Sequence, residues 1–296
     1  MSTAAVIHRV PAPALFVVAG VCQYVGAALA VGLFPLMPPH TVAWLRALVC
    51  AVVLLALVRP WRQRWTRPML RETALFGVVL VAMNMLFYVA IDYLPLGAAV
   101  AVEFAGPVAV AAWGSRSVRA RLSIGLAAFG VLAISLVGLR WDAAGPTTGL
   151  LLGLGCALAA GAAWGLYMVL GGRIVAQRDG LASLAVGTAI ASLAFAPIGA
   201  PWAGPVLSLP VLGVAVAVGV LSSVIPYVLD QVTLKRLGTS TFALLNALLP
   251  ASATVIGLIA LAQRPSAGEL LGLVAISAAV ALSSSRRTTP LAPDAV

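Results

Sequence analysis

Long apolar runs alternate with short polar breaks along the whole chain. The runs cover roughly 14–34, 41–58, 73–93, 96–113, 122–139, 148–170, 181–198, 210–231, 241–261 and 268–284. Each is close to the roughly 20 residues that a helix needs to cross the hydrocarbon of a bilayer. None shows the alternation of a strand, and lipid offers backbone groups no hydrogen-bond partner outside their own helix. The pattern predicts an all-α membrane protein with ten transmembrane helices.

Composition agrees with this prediction and leaves no room for a soluble domain. Apolar residues make up 62% of the 296 residues and charged residues only 9%, against about 45–50% and about 25% in soluble domains. Ten spans of about 20 residues leave only short loops and tails.

The cationic residues indicate the orientation of the spans. Fifteen of the 18 Lys and Arg residues would lie on one side of the membrane. They are Arg9, Arg59, Arg62, Arg64, Arg67, Arg71, Arg116, Arg119, Arg121, Arg173, Arg178, Lys235, Arg236, Arg286 and Arg287. Arg140 and Arg264 fall on the other side and Arg46 within a span. Because cationic loops stay in the cytoplasm, we expect an inner-membrane protein with both termini cytoplasmic.

The net charge of +10 comes from these short clusters, so we expect contact with anionic lipid headgroups and no nucleic-acid binding. Three scattered cysteines and two isolated histidines predict neither a disulfide framework nor a metal site. The sequence lacks both a GxxxxGK[ST] phosphate-binding loop and an HExxH motif. We therefore expect no cofactor, no ATP-driven transport and no enzyme activity.

A weak internal repeat appears at an offset of about 143 residues. Pro107 then matches Pro250, Tyr93 matches Arg236, and the segment 121–125 matches 264–268. Each copy holds five spans, an odd number, so the second copy must be inverted in the membrane. We expect a first repeat over 1–140, a second over 146–285 and a cytoplasmic tail over 286–296. Inverted repeats are typical of transporters, whose central site opens alternately to each side.

Several short segments resemble a known family. They are Leu33-Phe34-Pro35-Leu36, Arg59-Pro60-Trp61-Arg62, Asn84-Met85-Leu86-Phe87-Tyr88, Leu94-Pro95-Leu96-Gly97, Val102-Glu103-Phe104-Ala105-Gly106-Pro107, Ala163-Trp164-Gly165-Leu166-Tyr167, Pro197-Ile198-Gly199-Ala200 and Pro226-Tyr227. Together they resemble the EamA-type drug/metabolite transporter superfamily, and within it the threonine/homoserine exporter type. The resemblance implies ten helices in two inverted repeats, a central cavity and efflux of amino acids or related metabolites.

The chain departs from that family near the end of the ninth span. Leu249 precedes Pro250 where the family usually has an acidic or polar residue, and Gln263-Arg264 replaces its Gly-Glu ending. We therefore keep two substrate classes open. The chain exports threonine- or homoserine-like amino acids, with protons as the exchanged ion, or it exports drugs, purines or other metabolites. A channel or an embedded enzyme fits less well, because neither a polar path nor a catalytic cluster is evident.

Two opposite charges fall at similar depth in their spans, Arg46 in the second and Glu103 in the fourth. A charge inside the membrane costs about 2.5–3.5 kcal/mol even on insertion scales, so each needs a reason. We expect the two to form an ion pair. One interpretation is structural: the pair is a clamp, or Arg46 reaches the headgroups. The other is functional: the pair is a gate, or it binds an amino acid, with Glu103 at the ammonium group and Arg46 at the carboxylate.

Other polar groups within the spans are further candidates for the substrate or proton pathway. Asp230 ends the eighth span, where it is an interfacial acid or a proton acceptor. Asn84 and Tyr88 share a face of the third span, and Asn246 matches Glu103 in the repeat. Gln23, Trp164, Tyr167 and Tyr227 either line a cavity or pack between helices. Pro107, Pro226 and Pro250 are candidate hinges, because a proline breaks the hydrogen bonding of its helix. The oligomeric state stays open.

Overall fold

The computed structural model describes residues 10–112, 117–134, 147–230, 232–233, 236 and 245–284, and every secondary-structure element within them is a helix. The helices are α1 (Ala12–Val31), α2 (Pro39–Val58), α3 (Arg67–Tyr93), α4 (Leu96–Glu103), α5 (Ala105–Ala112), α6 (Val118–Leu132), α7 (Thr147–Gln177), α8 (Gly180–Ala194), α9 (Ala196–Gly199), α10 (Leu209–Asp230), α11 (Leu249–Leu261) and α12 (Ala267–Ser284). Short 3₁₀ turns cover Pro60–Arg62, Ala200–Trp202, Gly204–Leu207 and Asn246–Leu248.

Five of the described helices, α1, α2, α3, α7 and α10, are long and apolar enough to cross a membrane. A sixth span results if α8 and the bent segment after it count as one. Leu96–Val110, α11 and Ala267–Leu282 are shorter apolar helices. Each of the ten predicted segments coincides with helix in its described part. Residues 113, 135–139, 231 and 241–244 of those segments lie outside the described residues, as do Arg9, Arg116, Arg140, Lys235, Arg286, Arg287 and the tail.

α3 and α7 extend furthest beyond the predicted segments, and capping residues mark the ends of these extensions. α3 begins at Arg67 instead of residue 73, because the Thr66 hydroxyl accepts a hydrogen bond from the Met69 amide at 3.4 Å. α7 continues to Gln177 instead of residue 170, and Asp179 then caps α8 by accepting from the Leu181 amide at 2.9 Å. Both extensions contain charged residues, which hydropathy excludes from a span.

Three of the predicted spans are interrupted instead of straight. α4 and α5 separate at Phe104, three residues before Pro107. α8 and the segment that follows it meet at 52° near Pro197. α10 contains a π-helical turn at Val220–Val224, directly before Pro226. Proline has no N–H and its ring clashes with the preceding turn, so each interruption follows from the sequence.

The helices pack as one bundle, with α3 between α7 and α8, α2 against α8 and α10, and α1 against α10 and α11. Glycines allow the closest approaches. A Cβ at Gly77 would overlap the backbone of Gly187, and a Cβ at Gly106 would overlap the backbone of Gly161. The Trp44 indole of α2 also donates to the Ser192 carbonyl of α8 at 2.7 Å. These contacts hold α2, α3, α7 and α8 tightly together.

Large apolar side chains cover much of the outer surface. Leu57, Leu193 and Ile259 are 66%, 75% and 75% exposed. Apolar surface of this extent is unfavourable in water and favourable against lipid tails. The fold is therefore that of an all-helical membrane protein with an extensive apolar outer surface.

Candidate functional site

Buried polar side chains gather where α2, α3 and α10 meet. Arg46 of α2, Asn84 of α3 and Tyr88 of α3 are only 5%, 7% and 0% exposed. The Ser223 and Tyr227 side chains of α10 face the same space. Polar and charged groups within a span are costly unless they serve a pathway or each other. This cluster is the candidate site.

Arg46 is held by neutral groups only. Its Nε donates to the Ser223 hydroxyl at 2.7 Å and its Nη2 donates to the Ser222 carbonyl at 2.5 Å. The guanidinium carbon lies 5.4 Å from the centre of the Tyr88 ring, a distance typical of a cation–π contact. No described carboxylate lies within 4.0 Å of the guanidinium. The positive charge of Arg46 is therefore solvated but not neutralised.

The geometry of α10 explains why the Ser222 carbonyl is available. In a regular helix that carbonyl would accept from the amide four residues later, but that residue is Pro226, which has no N–H. The π-helical turn at Val220–Val224 shifts the local hydrogen bonding as well. The Ser222 hydroxyl donates to the Val218 carbonyl of its own helix. Arg46 thus donates to a carbonyl that lacks its regular donor within α10.

The predicted ion pair between Arg46 and Glu103 is wrong. The two charges are more than 4.0 Å apart, because the acceptors on α10 turn Arg46 towards that helix. Glu103 ends α4, is 7% exposed, and receives no hydrogen bond to its carboxyl group from any described residue. Arg46 still acts on it electrostatically. A guanidinium and a carboxyl group therefore lie in one buried region, and neither contacts a described group of opposite charge.

Pro107 affects Glu103 directly. The amide that would donate to the Glu103 carbonyl belongs to Pro107, so α4 ends there. That carbonyl lies against Gly161 of α7, where a Cβ would collide with it. The predicted hinge and the predicted acid are thus parts of a single interrupted turn.

A small cavity opens beside Arg46. Its lining includes Arg46, Asn84, Thr188, Ser223 and Tyr227. The Tyr227 and Asn84 side chains interact across it, while Asn84 also donates to the Leu80 carbonyl at 2.8 Å. The free space holds roughly one water molecule, too little for an amino acid. The structure is therefore a conformation in which the site is closed.

The Tyr88 hydroxyl is the most unusual polar group of the cluster. Tyr88 is fully buried, and its hydroxyl makes no hydrogen bond of regular geometry with any described residue, although it interacts electrostatically with Arg46. Leaving such a group unsatisfied costs about 1–3 kcal/mol. A hydroxyl of this kind beside a guanidinium is suited to donate to a bound anion.

The remaining predicted residues divide into packing residues and unassigned polar groups. Trp164 packs edge-on against Phe104 at 4.5 Å, and Tyr167 stacks on Phe76 at 4.8 Å, so both fill contacts between helices. Gln23 and Asn246 are half-buried and make no side-chain hydrogen bond with a described residue. Asn246 is thus not joined to Glu103 by a hydrogen bond.

Asp230 and Pro250 lie away from the cavity. Asp230 is the last residue of α10, is half-buried, and lies within electrostatic reach of Tyr167 and Tyr227. Pro250 lies in the first turn of α11, where the missing N–H costs little, and the Asn246 carbonyl accepts instead from the Leu249 amide. The three predicted hinges are therefore not equivalent.

Sequence reasoning missed Ser222, Ser223 and Glu269. The signal for Ser222 was its position four residues before Pro226. For Glu269 the signal was the Ser266-x-x-Glu269 spacing of a capping box. In the structure the Glu269 carboxylate accepts from the Ser266 amide at 2.8 Å and the Ser266 hydroxyl accepts from the Glu269 amide at 3.2 Å. Glu269 thus has a structural role at the start of α12.

Comparison with known proteins places the chain among transporters. Residues 151–285 match the EamA-like transporter family. The chain is 39% identical over 255 residues to the threonine/homoserine exporter RhtA of Salmonella typhimurium (strain SL1344), covering 86% of this chain and 84% of that protein. It is 40% identical over 257 residues, with the same coverage, to the threonine/homoserine exporter RhtA of Escherichia coli (strain K12).

A solved crystal structure has the same fold. It superposes with a TM-score of 0.58 over 91% of this chain and 95% of that one, at 20% sequence identity. Identity this low shows a shared fold only. The relatives of about 40% identity, in contrast, extend over most of both chains. The protein therefore belongs to the EamA-like transporter family and is a homologue of the threonine/homoserine exporters.

Proposed function

We propose that this protein exports amino acids similar to threonine and homoserine across the inner membrane, in exchange for protons. The relatives supply the substrate class by their names. The structure supplies a site whose chemistry fits a zwitterion. Arg46 is suited to the carboxylate, and Glu103 is suited to the ammonium group.

The observation that carries this proposal is a pair of buried ionisable groups that are not paired with each other. Among the described residues, Arg46 has only neutral acceptors and the Glu103 carboxyl group has no hydrogen-bond donor, although both residues are at least nine-tenths buried. Ionisable groups inside a membrane pair with one another or with backbone carbonyls, or they mark a substrate or proton pathway. A solute that carries both an anionic and a cationic group would supply both partners at once. A neutral solute would leave both unpaired.

We further propose that the chain forms ten transmembrane helices in two inverted repeats, residues 1–140 and 146–285. The packing supports this. The two repeats make α10 the counterpart of α3, α1 the counterpart of α7, and α2 the counterpart of α8. The contact of α3 with α7 then corresponds to the contact of α10 with α1. The contact of α3 with α8 likewise becomes that of α10 with α2, and both members of each pair are present.

The crossing of α6 and α12 gives independent support. A Cβ at Gly130 would meet Ile276, and a Cβ at Gly272 would meet Ile134. In each helix a glycine faces an isoleucine of the other helix. The residue number rises along α6 as it falls along α12, so the two helices cross antiparallel. Such a self-complementary, antiparallel contact is expected between counterpart helices of inverted repeats.

The repeat also accounts for the centre of the site. Asn84 and Tyr227 are 143 residues apart, the offset of the repeat, and their side chains interact across the cavity. Counterpart residues that touch each other lie near the pseudo-two-fold axis. The axis would then pass beside Arg46, where alternate opening to either side is possible.

In this arrangement both termini are cytoplasmic, and the arginines of the loop between α2 and α3 contact anionic lipid headgroups on that side. Arg59, Arg62, Arg64 and Arg67 are all exposed. Reporter fusions along the gene test the topology. A fusion near residue 150 that reports the cytoplasm, with both termini also cytoplasmic, would rule out the inverted repeat.

The transport experiment uses proteoliposomes loaded with labelled threonine or homoserine. Acidifying the outside should accelerate efflux, because protons that enter would drive the amino acid out. Efflux that does not respond to the pH gradient would rule out proton exchange. Flux of purines or cationic drugs without flux of either amino acid would replace the substrate class with the other one left open by the sequence.

Two substitutions test which carboxylate carries the exchanged proton. Glu103→Gln and Asp230→Asn each remove one buried or half-buried carboxylate with little change in shape. We expect Glu103→Gln to abolish the response to the gradient, because Glu103 lies with Arg46 in the site. Asp92→Asn, on the exposed end of α3, is the matched control. If both Glu103→Gln and Asp230→Asn respond to the gradient like the wild type, neither carboxylate carries the proton.

A further inference from the structure

We propose that Ser223 and the main-chain carbonyl of Ser222 are positioning groups that hold Arg46 for the carboxylate of the exported solute. This inference rests on the proposed function and deepens it. It also gives Pro226 a role other than that of a hinge, since Pro226 leaves the carbonyl available.

The contacts fix one edge of the guanidinium. Nε and Nη2 lie on the same edge of the planar group, and two adjacent residues of α10 accept from them at 2.7 and 2.5 Å. An arginine fixed at one edge cannot rotate about its terminal bonds. Its remaining hydrogens, on Nη1 and Nη2, are then presented in a set direction.

The backbone of α10 is shaped for this contact. The π-helical turn and Pro226 together leave the Ser222 carbonyl without its usual donor. α1 approaches so closely here that a Cβ at Gly26 would overlap Ser222. The Ser222 hydroxyl is engaged by its own helix. The interrupted turn therefore offers Arg46 one carbonyl and one hydroxyl, on a backbone that α1 holds in place.

The hydrogen-bond donors that α10 does not engage fit an anionic group with two oxygen atoms. Arg46 has donors to spare, and the buried hydroxyl of Tyr88 beside it makes no hydrogen bond of regular geometry with any described residue. The Tyr88 ring lies under the guanidinium. A carboxylate could accept from both groups, and charge-assisted hydrogen bonds of this kind are the strong ones. Without the contacts to α10, Arg46 would lose this orientation.

Flux kinetics test the positioning role. We expect Ser223→Ala to raise the KM for threonine about tenfold, the effect of one lost hydrogen bond to a charged group. The maximal rate should stay within about twofold, because the translocating helices are unchanged. Ser223→Thr keeps the hydroxyl and should restore the KM. Ser277→Ala, which removes a buried serine hydroxyl of α12, is the matched control. An unchanged KM in Ser223→Ala overturns the proposal.

A competition assay separates positioning from general damage. Threonine amide keeps the ammonium group and the shape of threonine but lacks the carboxylate charge. The wild type should prefer threonine to its amide, and Ser223→Ala should reduce this preference about tenfold. A damaged fold would weaken both ligands equally, and an unchanged ratio contradicts the positioning role.

Pro226→Ala tests the carbonyl. It restores an N–H that can bind the Ser222 carbonyl within α10, so Arg46 loses one acceptor. We expect the same rise in KM, whereas Pro210→Ala should have no effect, because Pro210 occupies the first turn of α10, where no N–H is needed. A normal KM in Pro226→Ala would remove the carbonyl from the proposal.

The contact itself can be observed without transport. In protein labelled with ¹⁵N-arginine, Arg46 should give a slowly exchanging Nε–H signal that Arg46→Lys removes. Ser223→Ala should lose that signal and Ser223→Thr should keep it; persistence in Ser223→Ala overturns the contact. A wild type that moves neither threonine nor homoserine overturns the proposed function instead, and the Nε–H signal still decides the contact.

Discussion

Two arginines in this protein have largely inaccessible side chains, and their charges are accommodated in different ways. Arg178, in the short connection between α7 and α8, has a side chain that is 8% exposed, and Arg46 is 5% exposed. Arg178 pairs with Glu72 at 3.1 Å and also donates to Ser183 and Thr73, each at 3.2 Å. Arg46 has two neutral acceptors and an aromatic ring.

The difference separates an arginine with a structural contact from the arginine to which we assign solute binding. The protein itself provides the counter-charge of Arg178, and Glu72 is half in solvent, its side chain 54% exposed. That pair ties α3 to the connection between α7 and α8 and needs nothing else. Arg46 is buried within α2 and contacts no described carboxylate. A charge held in place but left unneutralised is available for a ligand.

The largest expected difference between the two arginines is in transport. Arg46→Ala should reduce threonine efflux by about 100-fold, since two charge-assisted hydrogen bonds to the solute would be lost. Arg178→Ala should leave efflux within about threefold, because its contacts are structural. Efflux from proteoliposomes is the measurement, with size-exclusion chromatography to verify folding. Equal losses in the two variants would contradict the distinction.

The packing around the site should be less tolerant than the packing outside it. A Cβ at Gly161 would collide with the Glu103 carbonyl, whereas a Cβ at Gly155 of the same helix meets open space. Overpacking typically costs about 1–3 kcal/mol. We expect Gly161→Ala to lower the thermal midpoint in detergent by several degrees, and Gly155→Ala to leave it unchanged or raise it. A midpoint unaffected by Gly161→Ala would show that α4 can shift away from α7.

The smallest expected effect concerns the ion pair of Arg178. Glu72→Gln should lower the free energy of unfolding by about 0.2–1 kcal/mol, the usual value of a partly exposed pair. The difference from the wild type should vanish near 1 M salt, where screening acts over about 3 Å. Denaturation at low and high salt measures it. Slower threonine efflux in Glu72→Gln would mean that this pair takes part in gating.

Much of the helical structure follows from the sequence alone. Each apolar run predicts a helix because lipid cannot satisfy a backbone, and the described part of each run is helical apart from short turns such as residues 32–34. The interruptions near Pro107, Pro197 and Pro226 follow from the missing N–H. The helix ends were less predictable, since Arg67 and Gln177 lie in charged extensions that local capping and neighbouring helices stabilise.

The sequence predicted most residues of the candidate site but not the contacts between them. Arg46 and Glu103 stand out because charges within a span are rare, and comparable depth suggested that they pair. Depth along a helix says nothing of rotation about its axis or of a neighbour's unsatisfied carbonyl. The two acceptors on α10 prevailed because they are adjacent and because one of them, the Ser222 carbonyl, lacks the amide donor four residues later, which is Pro226.

The sequence by itself determined that the chain is helical, that it lies in a membrane, and which few polar residues need an explanation. Each of these depends on local composition and on the absence of water in the bilayer. The tertiary structure decided which of those residues meet. The two acceptors of Arg46 are 177 and 176 residues away. One of them, the Ser222 carbonyl, lacks the donor four residues later because that residue is a proline. The sequence shows the proline, but only the packing of α2 against α10 brings the carbonyl to Arg46.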